Sequence, residues 1–457
     1  MSDAVANVDQ DQLREAHDEL ARIMREKEFG GTTAWYAKDN RYFPQGTDSL
    51  ETDLSNGDVA VDDAKKYIVS SIFVHSSDAW SYLGRAVDSL LKGDANAAVH
   101  LTYYSELRAA KSILASEGIY IGRGRSYICT ESDRFLEVSK KPTHVAAWKV
   151  LDAWFEGQRA VDKVSKMVLP DSSPLDVWLE SIAAGVSVAV SEMLKDVALD
   201  FDSFELDKGR RNSASYEPSS LLHTSLDPDL IKQIVVDLWE QVEPNANGDF
   251  SRLDQAILAT VLQRQYQATS EEGFEPSEAG QTTRVDANDS KAWENWISSL
   301  TPAGKEGTAL QRALLGGPSS DEFKELAGVA FNDTREEVNP SQFIRPMMSR
   351  ATILARFATG LGREILFDAG LSSSVLRSWL DDFAVARGLI EHKPLPESSV
   401  DLYADIREAL YFLEESRAAN LKGLYTDLEI AIGALGQTER IVTWSLSLIH
   451  ISEPTRL

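Results

Sequence analysis

The side chains best suited to chemistry in this sequence are arginines, tyrosines and histidines, set in a chain whose net charge is −26. Arg123 and Arg125 flank Gly124 in "IGRGRS", so two guanidinium groups stand close together on a predicted turn. Such groups can reach two neighbouring phosphates with little desolvation, although an exposed turn also carries arginine for solubility alone. Tyr103, Tyr104 and Arg108 lie together in "YYSELR". The tyrosines fit either the wall of a nucleotide pocket or the buried face of a helix. Arg108 fits either a phosphate contact or a surface salt bridge to Glu106 or Glu117. "WENW" places Trp293 and Trp296 one helical turn apart, the spacing of a packing anchor or partner contact more than of a base-stacking platform.

Several chemistries find no support. The sequence has no GxxxxGK[ST] loop, since "TPAGKEGT" lacks the first glycine at the required spacing, and it has no GxGxxG after a strand, no GxSxG and no HExxH. Its 7 histidines are scattered, which gives a multi-histidine metal site no basis, and no cofactor is expected. The single cysteine, Cys129, rules out a disulfide within one chain. The net charge and a pI near 4.7 exclude coating of DNA by bulk attraction to phosphate, and the plain reading of the acidity is solubility. "MSDAVANVDQDQLREAHDEL" is acidic and unlike a signal peptide, and the most apolar run, Ile182–Val190, is too short to span a bilayer. These features predict a soluble cytoplasmic protein with no membrane contact.

The elements that must position these residues are helices. From Ala79, the positions Tyr82, Leu83, Ala86, Val87, Leu90 and Leu91 fall on one helical face, with Ser77 or Asp78 as the cap. "KGD" ends that helix: Gly93 suits a left-handed position, and Asp94 can cap the next helix, which runs to Gly118. So short a turn predicts an antiparallel pair, with Leu83, Val87, Leu101 and Leu114 in the core. "GIYIGRGRSYICTES" predicts a protruding β-hairpin over Ile119–Cys129 with the two arginines at its tip. Further helices are predicted over Thr143–Val168, Leu175–Leu199, Pro228–Val242, Phe250–Gln267, Ser290–Leu300, Pro340–Asp368, Ser372–Ile390, Ser399–Ala419 and Leu421–Leu435. Phe201–Ser220 reads as an irregular connection and Ala268–Ser290 as an exposed loop. No repeat period emerges; "LLKGDANAA" resembles a tetratricopeptide turn but occurs once.

The tract "AWSYLGRAVDSLLKGDANAAVHLTYYSELRAAKSILASEGI", followed by "THVAAWKVL", resembles the helical core of the HEPN superfamily over residues 79–155. The resemblance implies a mainly all-α protein of a bacterial defence, abortive-infection or toxin–antitoxin system. Catalytic members of that superfamily are metal-independent ribonucleases, often dimeric, with an Arg four to six residues before a His. There Arg holds the scissile phosphate and His assists attack by the ribose 2′-hydroxyl. Within the resembling tract no Arg has that spacing: Arg134 and His144 are too far apart, and His100 has no arginine shortly upstream. "RGLIEH" has it, which makes Arg387 and His392 the candidate catalytic pair. The alternative for the two is a solvated helix end whose cations oppose the C-terminal dipole.

The resulting organisation is an acidic segment over 1–60, a HEPN-like domain over 61–168, a helix and connection over 169–220, and a helical domain over 221–445. The run "LSLIHISEPTR" (Leu446–Arg456) resembles the in-frame translation of a transposase adapter used in sequencing libraries. That resemblance implies that native sequence stops near Ser445 and that 446–457 adds little buried area. The expected function is binding of RNA, or of a partner protein from the same operon, with weak catalysis or none, in a chain that can form a homodimer. A metal-independent endoribonuclease and a helical scaffold without a nucleotide site are the alternatives.

Overall fold

The computed structural model describes residues 9–26, 40–42, 46–131, 133–182, 185–196, 199, 201–216, 227–245, 249–271, 290–323, 340–372, 374–396, 399–416 and 429–447. In chain order its helices are α1 (Gln10–Glu26), α2 (Gly46–Asn56), α3 (Val61–Leu91), α4 (Ala95–Ser116), α5 (Thr143–Phe155), α6 (Gln158–Met167), α7 (Leu175–Leu179), α8 (Val186–Asp196) and α9 (Phe201–Tyr216). They continue as α10 (Pro228–Gln241), α11 (Ser251–Glu271), α12 (Ser290–Leu300), α13 (Ala309–Leu315), α14 (Pro340–Asp368), α15 (Ser374–Ala386), α16 (Ser399–Glu415), α17 (Glu429–Leu435) and α18 (Arg440–Ser447). The chain is thus mainly α-helical, with one small sheet, as the periodicity predicts.

The turn between α3 and α4 follows from its residue types. Gly93 takes a φ of 80°, and the Asp94 side chain accepts from the Ala97 amide at 2.9 Å. The two helices pack along their length, with Leu83, Val87 and Leu114 fully buried and Leu101 half-buried against the same core. Because the Asp94 cap is exposed and local, Asp94→Ala should lower stability by about 1 kcal/mol, read from the urea midpoint; an unchanged midpoint would show that the cap adds nothing.

α3 begins at Val61, well before the predicted cap. Ser77 is interior to the helix, its hydroxyl donating to the Phe73 carbonyl at 2.9 Å, and Ser70 and Ser71 return theirs to the Tyr67 carbonyl at 2.9 and 2.7 Å. α14 lies across both helices of the pair. There Thr359 takes the Trp80 indole at 2.9 Å and meets the Ser76 hydroxyl at 3.1 Å.

The hairpin forms, in register Ile119↔Ile128 and Tyr120↔Tyr127, but it belongs to a three-stranded antiparallel sheet, β1 (Ile119–Ile121), β2 (Ser126–Cys129) and β3 (Phe135–Ser139). It does not protrude: every residue of β1 and β2 is buried. Among the helices the structure corrects three spans. Thr143–Val168 breaks at Gly157 into α5 and α6, and Leu175–Leu199 divides into α7 and α8 before Gly185, whose φ is 81°. Phe201–Tyr216, expected to be irregular, is helix α9, because Phe204 stacks on Trp148 with ring centroids 4.3 Å apart and buried Asp207 is gripped by Arg350. The WENW pair is a packing anchor: buried Trp293 donates to the Leu314 carbonyl at 2.6 Å.

α18 carries the chain through Ser447, so Leu446 lies one turn from Val442 and is fully buried with Trp444. The expectation of little buried area after Ser445 therefore fails at Leu446; residues 448–457, His450 included, lie outside the described residues, as do 272–289 of the predicted loop and 421–428 of the last predicted helix. Among the described residues no helix is long and apolar enough to cross a membrane.

Candidate functional site

Two polar stripes face each other along the α3/α4 pair. On α3 they are His75, Asp78, Tyr82 and Arg85; on α4, His100, Tyr104, Arg108 and Lys111. Spacings of three and four residues put each set on one helical face. Of these eight residues Arg85 is exposed and the rest are half-buried, so the stripes form a surface seam above the apolar core.

At one end stands Tyr103, fully buried. Its hydroxyl accepts from the Trp148 indole at 3.3 Å and lies 2.9 Å from His144 Nδ1. Burial pushes the Tyr103 phenol up to about 12, so it stays protonated and can donate to His144. Tyr104 stacks on Tyr82 with centroids 5.6 Å apart and touches the His100 ring at 4.9 Å. From α9, Arg211 lies over both tyrosine rings, 5.0 Å from the centroid of Tyr103 and 5.9 Å from that of Tyr104. The helix that carries Arg211 is tied to the bundle through Asp207. Asp207 accepts from Arg210 at 2.9 Å and from Arg350 of α14 at 3.1 Å, with Glu106 of α4 buried beside them at 3.6 Å from Arg350. Burial, and then the Asp207 charge, keep Glu106 well above the usual carboxylate range.

At the other end Arg108 bonds His75 rather than Glu106 or Glu117. Its guanidinium donates to His75 Nδ1 at 3.1 Å and lies 3.5 Å from Asp78. The expected partners face elsewhere: Glu106 toward Arg350, and Glu117 toward Arg159 at 2.5 Å. Because a guanidinium can only donate, His75 Nδ1 is an acceptor and the ring is neutral. Burial, reinforced by Lys111 and Arg108, holds His75 well below its ordinary value. His100 and His144 are lowered as well, first by burial and then by Arg211. Lys111 is brought down to about 8 by burial and by Arg108. Arg85 and Arg108 both approach the Tyr82 ring, at 5.6 and 5.9 Å from its centroid. The seam therefore holds Arg85, Arg108, Lys111 and Arg211; Asp78 lies among the first three and is raised by burial despite them, and Glu439 feels the charge of Arg85.

The other predicted residues lie off the two stripes. Arg123 and Arg125 are exposed but paired, Arg123 with Asp48 at 3.0 Å and Arg125 with Glu137 at 2.9 Å. Glu51 of α2 closes over the turn, accepting from the amides of Arg123 at 2.6 Å and Gly124 at 2.9 Å. Arg387 is exposed just past α15, over the Phe383 ring at 5.6 Å, and its charge is felt at Asp78. His392 is exposed beyond the Gly388 turn, and among the described residues no hydrogen bond joins it to Arg387.

A separate cleft of about 340 Å³ opens between α1, α6 and α14. Its floor is made of matched pairs: His17 Nε2 meets Asp368 at 2.9 Å, while His17 Nδ1 donates to the Ser116 carbonyl at 2.8 Å, and Lys163 meets Glu364 at 2.8 Å. Burial would raise Asp368, but the contact with His17 outweighs it and holds the carboxyl below its ordinary value. These pairs clip α1 onto the bundle. Among the described residues no cluster of three metal-ligating side chains occurs.

No family model, no curated protein and no solved structure matches the chain. The chemistry of the seam itself therefore carries its interpretation. Tyr103, Tyr104 and Arg108 are legible in the sequence. His75, His100, Lys111, His144 and Arg211 do not stand out there by residue type, although stripes at three- and four-residue spacing on two consecutive helices are a signal that marks most of them.

Proposed function

We propose that this chain is a HEPN-like RNA-binding protein with weak catalysis or none, and that the α3/α4 seam is its contact face. One observation carries the reading. On a chain of net charge −26, the seam gathers four cations and three tyrosines, with Asp78 set among them and Glu439 near Arg85. An acidic surface repels phosphate at long range, so binding requires a local cluster of this kind, with aromatic surface beside it for the bases. The paired arginines of the hairpin tip are the weaker candidates, since each already has a carboxylate.

Fluorescence anisotropy with a labelled single-stranded RNA at low salt tests this. Arg85 is exposed and Arg211 half-buried, so Arg85→Glu with Arg211→Glu should weaken binding at least about tenfold and reduce the slope of log affinity against log salt by about 0.7 for each phosphate no longer neutralised. Circular dichroism should be unchanged. Arg123→Glu with Arg125→Glu should have the smaller effect. The reverse ranking would move the site to the hairpin, and no binding at all would leave the helical scaffold as the better reading.

One observation favours a metal-independent endoribonuclease as a second reading: His100 and His144 are neutral imidazoles beside Arg211, the state a general base needs. RNA cleavage in chelator, abolished by His144→Ala, would select it; loss with His392→Ala would instead make Arg387 and His392 the active site.

A further inference from the structure

Among the described residues Lys111 has no paired counter-ion. It stands on α4 one turn beyond Arg108, half-buried beside Ile68, Ile119 and Ile121, with His75, Tyr67 and Tyr120 around it. It makes no hydrogen bond or ion pair with any described residue. Asp78 is the one carboxylate whose charge favours its ammonium, and Asp78 is engaged by Arg108 at 3.5 Å. Burial holds the Tyr120 phenol protonated, so it supplies no anion, and His75 is neutral. An ammonium placed here loses hydration and meets the repulsion of Arg108, with the already shared charge of Asp78 to offset it. An aliphatic side chain would fill the same space at lower cost.

Desolvation beside a second cation is the arrangement that turns a lysine into a nucleophile. With the amine at about 8, roughly a quarter of Lys111 is neutral at pH 7.5, against about one part in 800 for an ordinary lysine near 10.4. A less basic amine is also a weaker nucleophile, which takes back part of that advantage. The enclosed part of the groove is about 10 Å³, room for about one water, so a partner must be small or approach from the open side.

We propose that Lys111 is a nucleophilic amine that captures a small carbonyl compound carrying an acid group, of the aldehyde-acid or 2-oxo-acid class, as an imine, with Arg108 pairing the carboxylate. The amine lone pair attacks the carbonyl carbon, forming the C–N bond as the C=O pair moves to oxygen. A proton passes from nitrogen to that oxygen, and loss of water leaves C=N. The sum is amine plus carbonyl giving imine plus water, with no oxidant or reductant. That proton moves through solvent, because the one lone pair of the neutral His75 ring, on Nδ1, is already engaged by Arg108.

The full chain is treated with glyoxylate and cyanoborohydride, which reduces the imine to a stable secondary amine, and modified lysines are mapped by peptide mass spectrometry. At pH 7.5 Lys111 should be modified at least about tenfold faster than the exposed Lys92 and Lys140. Its rate should level off above pH about 8, while theirs continue to climb. Arg108→Gln should slow glyoxylate labelling severalfold yet leave labelling by formaldehyde, which has no charge, fast. Lys111 reacting no faster than Lys92 and Lys140 overturns the proposal. Fast glyoxylate labelling that Arg108→Gln leaves untouched overturns the role given to Arg108.

Discussion

Replacing Arg356 with methionine should destabilise the protein by about 3–5 kcal/mol. Arg356 of α14 is 2 % exposed and makes a two-point contact with Asp254 of α11, Nε to Oδ1 at 3.1 Å and Nη2 to Oδ2 at 2.9 Å. Its Nη2 also donates to the Met167 carbonyl at 2.6 Å, and its plane lies over Phe250 at 4.7 Å from the ring centroid. Phe250 in turn stacks on Trp80 of α3 at 6.0 Å, so one guanidinium joins α3, α6, α11 and α14. Methionine keeps most of the apolar volume but leaves the buried Asp254 carboxylate, among the described residues, with the Leu169 amide at 2.8 Å as its remaining partner. The cost is that of an uncompensated charge rather than of lost packing, and the double variant separates the two. Arg356→Met with Asp254→Leu should recover most of the loss, because an apolar pair of similar size can match a buried ion pair. Urea unfolding followed by tryptophan fluorescence reads both variants. A single-variant cost below about 1 kcal/mol, or a double variant no better than the single, would show that the bridge is not what holds these helices.

That bridge joins residues about a hundred positions apart in sequence (Arg356 and Asp254), and this separation marks the limit of what is legible in the sequence. The α3/α4 pair can be read because its signals are local: a 3.6-residue apolar period, Gly93 where φ must be positive, and Asp94 where an amide needs an acceptor. The part of α3 before Ala79 cannot, since Ser77 reads as a cap until its hydroxyl is seen to bond a carbonyl within the same helix, as those of Ser70 and Ser71 also do. α9 is the clearest failure. "FDSFELDKGRRNSASY" has little apolar period and several turn-forming residues, and it is helical because Phe204 has Trp148 to stack on and Asp207 has Arg350 to bind. Tertiary partners of that kind override local preference and leave no trace in a short window.

The same separation governs the site. Tyr103, Tyr104 and Arg108 stand out by residue type, but their neighbours come from α3, α5 and α9. Arg123 and Arg125 look like free cations in "GRGRS", whereas Asp48 and Glu51, contributed by α2, close over the turn, and Glu137 comes from a third strand that the pattern does not predict. Charge read along the chain is therefore a poor guide to charge in space. The hairpin tip reads as basic and is paired; the α3/α4 seam reads as ordinary helix surface and is where cations collect.

The seam should also make the protein lose stability as pH falls below about 6.5, and His75 should carry the largest share. The folded-state values of His75, His100 and His144 all lie below the ordinary 6.5, that of His75 well below. Above 6.5 these rings are neutral in both folded and unfolded chains and contribute no pH dependence. Below it the unfolded chain takes up protons that the folded one refuses, so stability declines with a slope of up to about 1.4 kcal/mol per pH unit for each such ring. The decline ends for each ring once the pH passes its folded value. Asp78 works in the opposite sense: its raised value means that the folded chain binds that proton first, which offsets part of the loss at lower pH. Urea midpoints should differ little between pH 7.5 and 6.5 and drop at 5.5, and His75→Gln should flatten that drop by about 1 kcal/mol. The difference in slope is the readout, because the substitution also removes the acceptor of Arg108 and shifts stability at every pH. Equal slopes in the two proteins would mean that His75 is hydrated enough to titrate normally. The depressed value assigned to His75 would then fail.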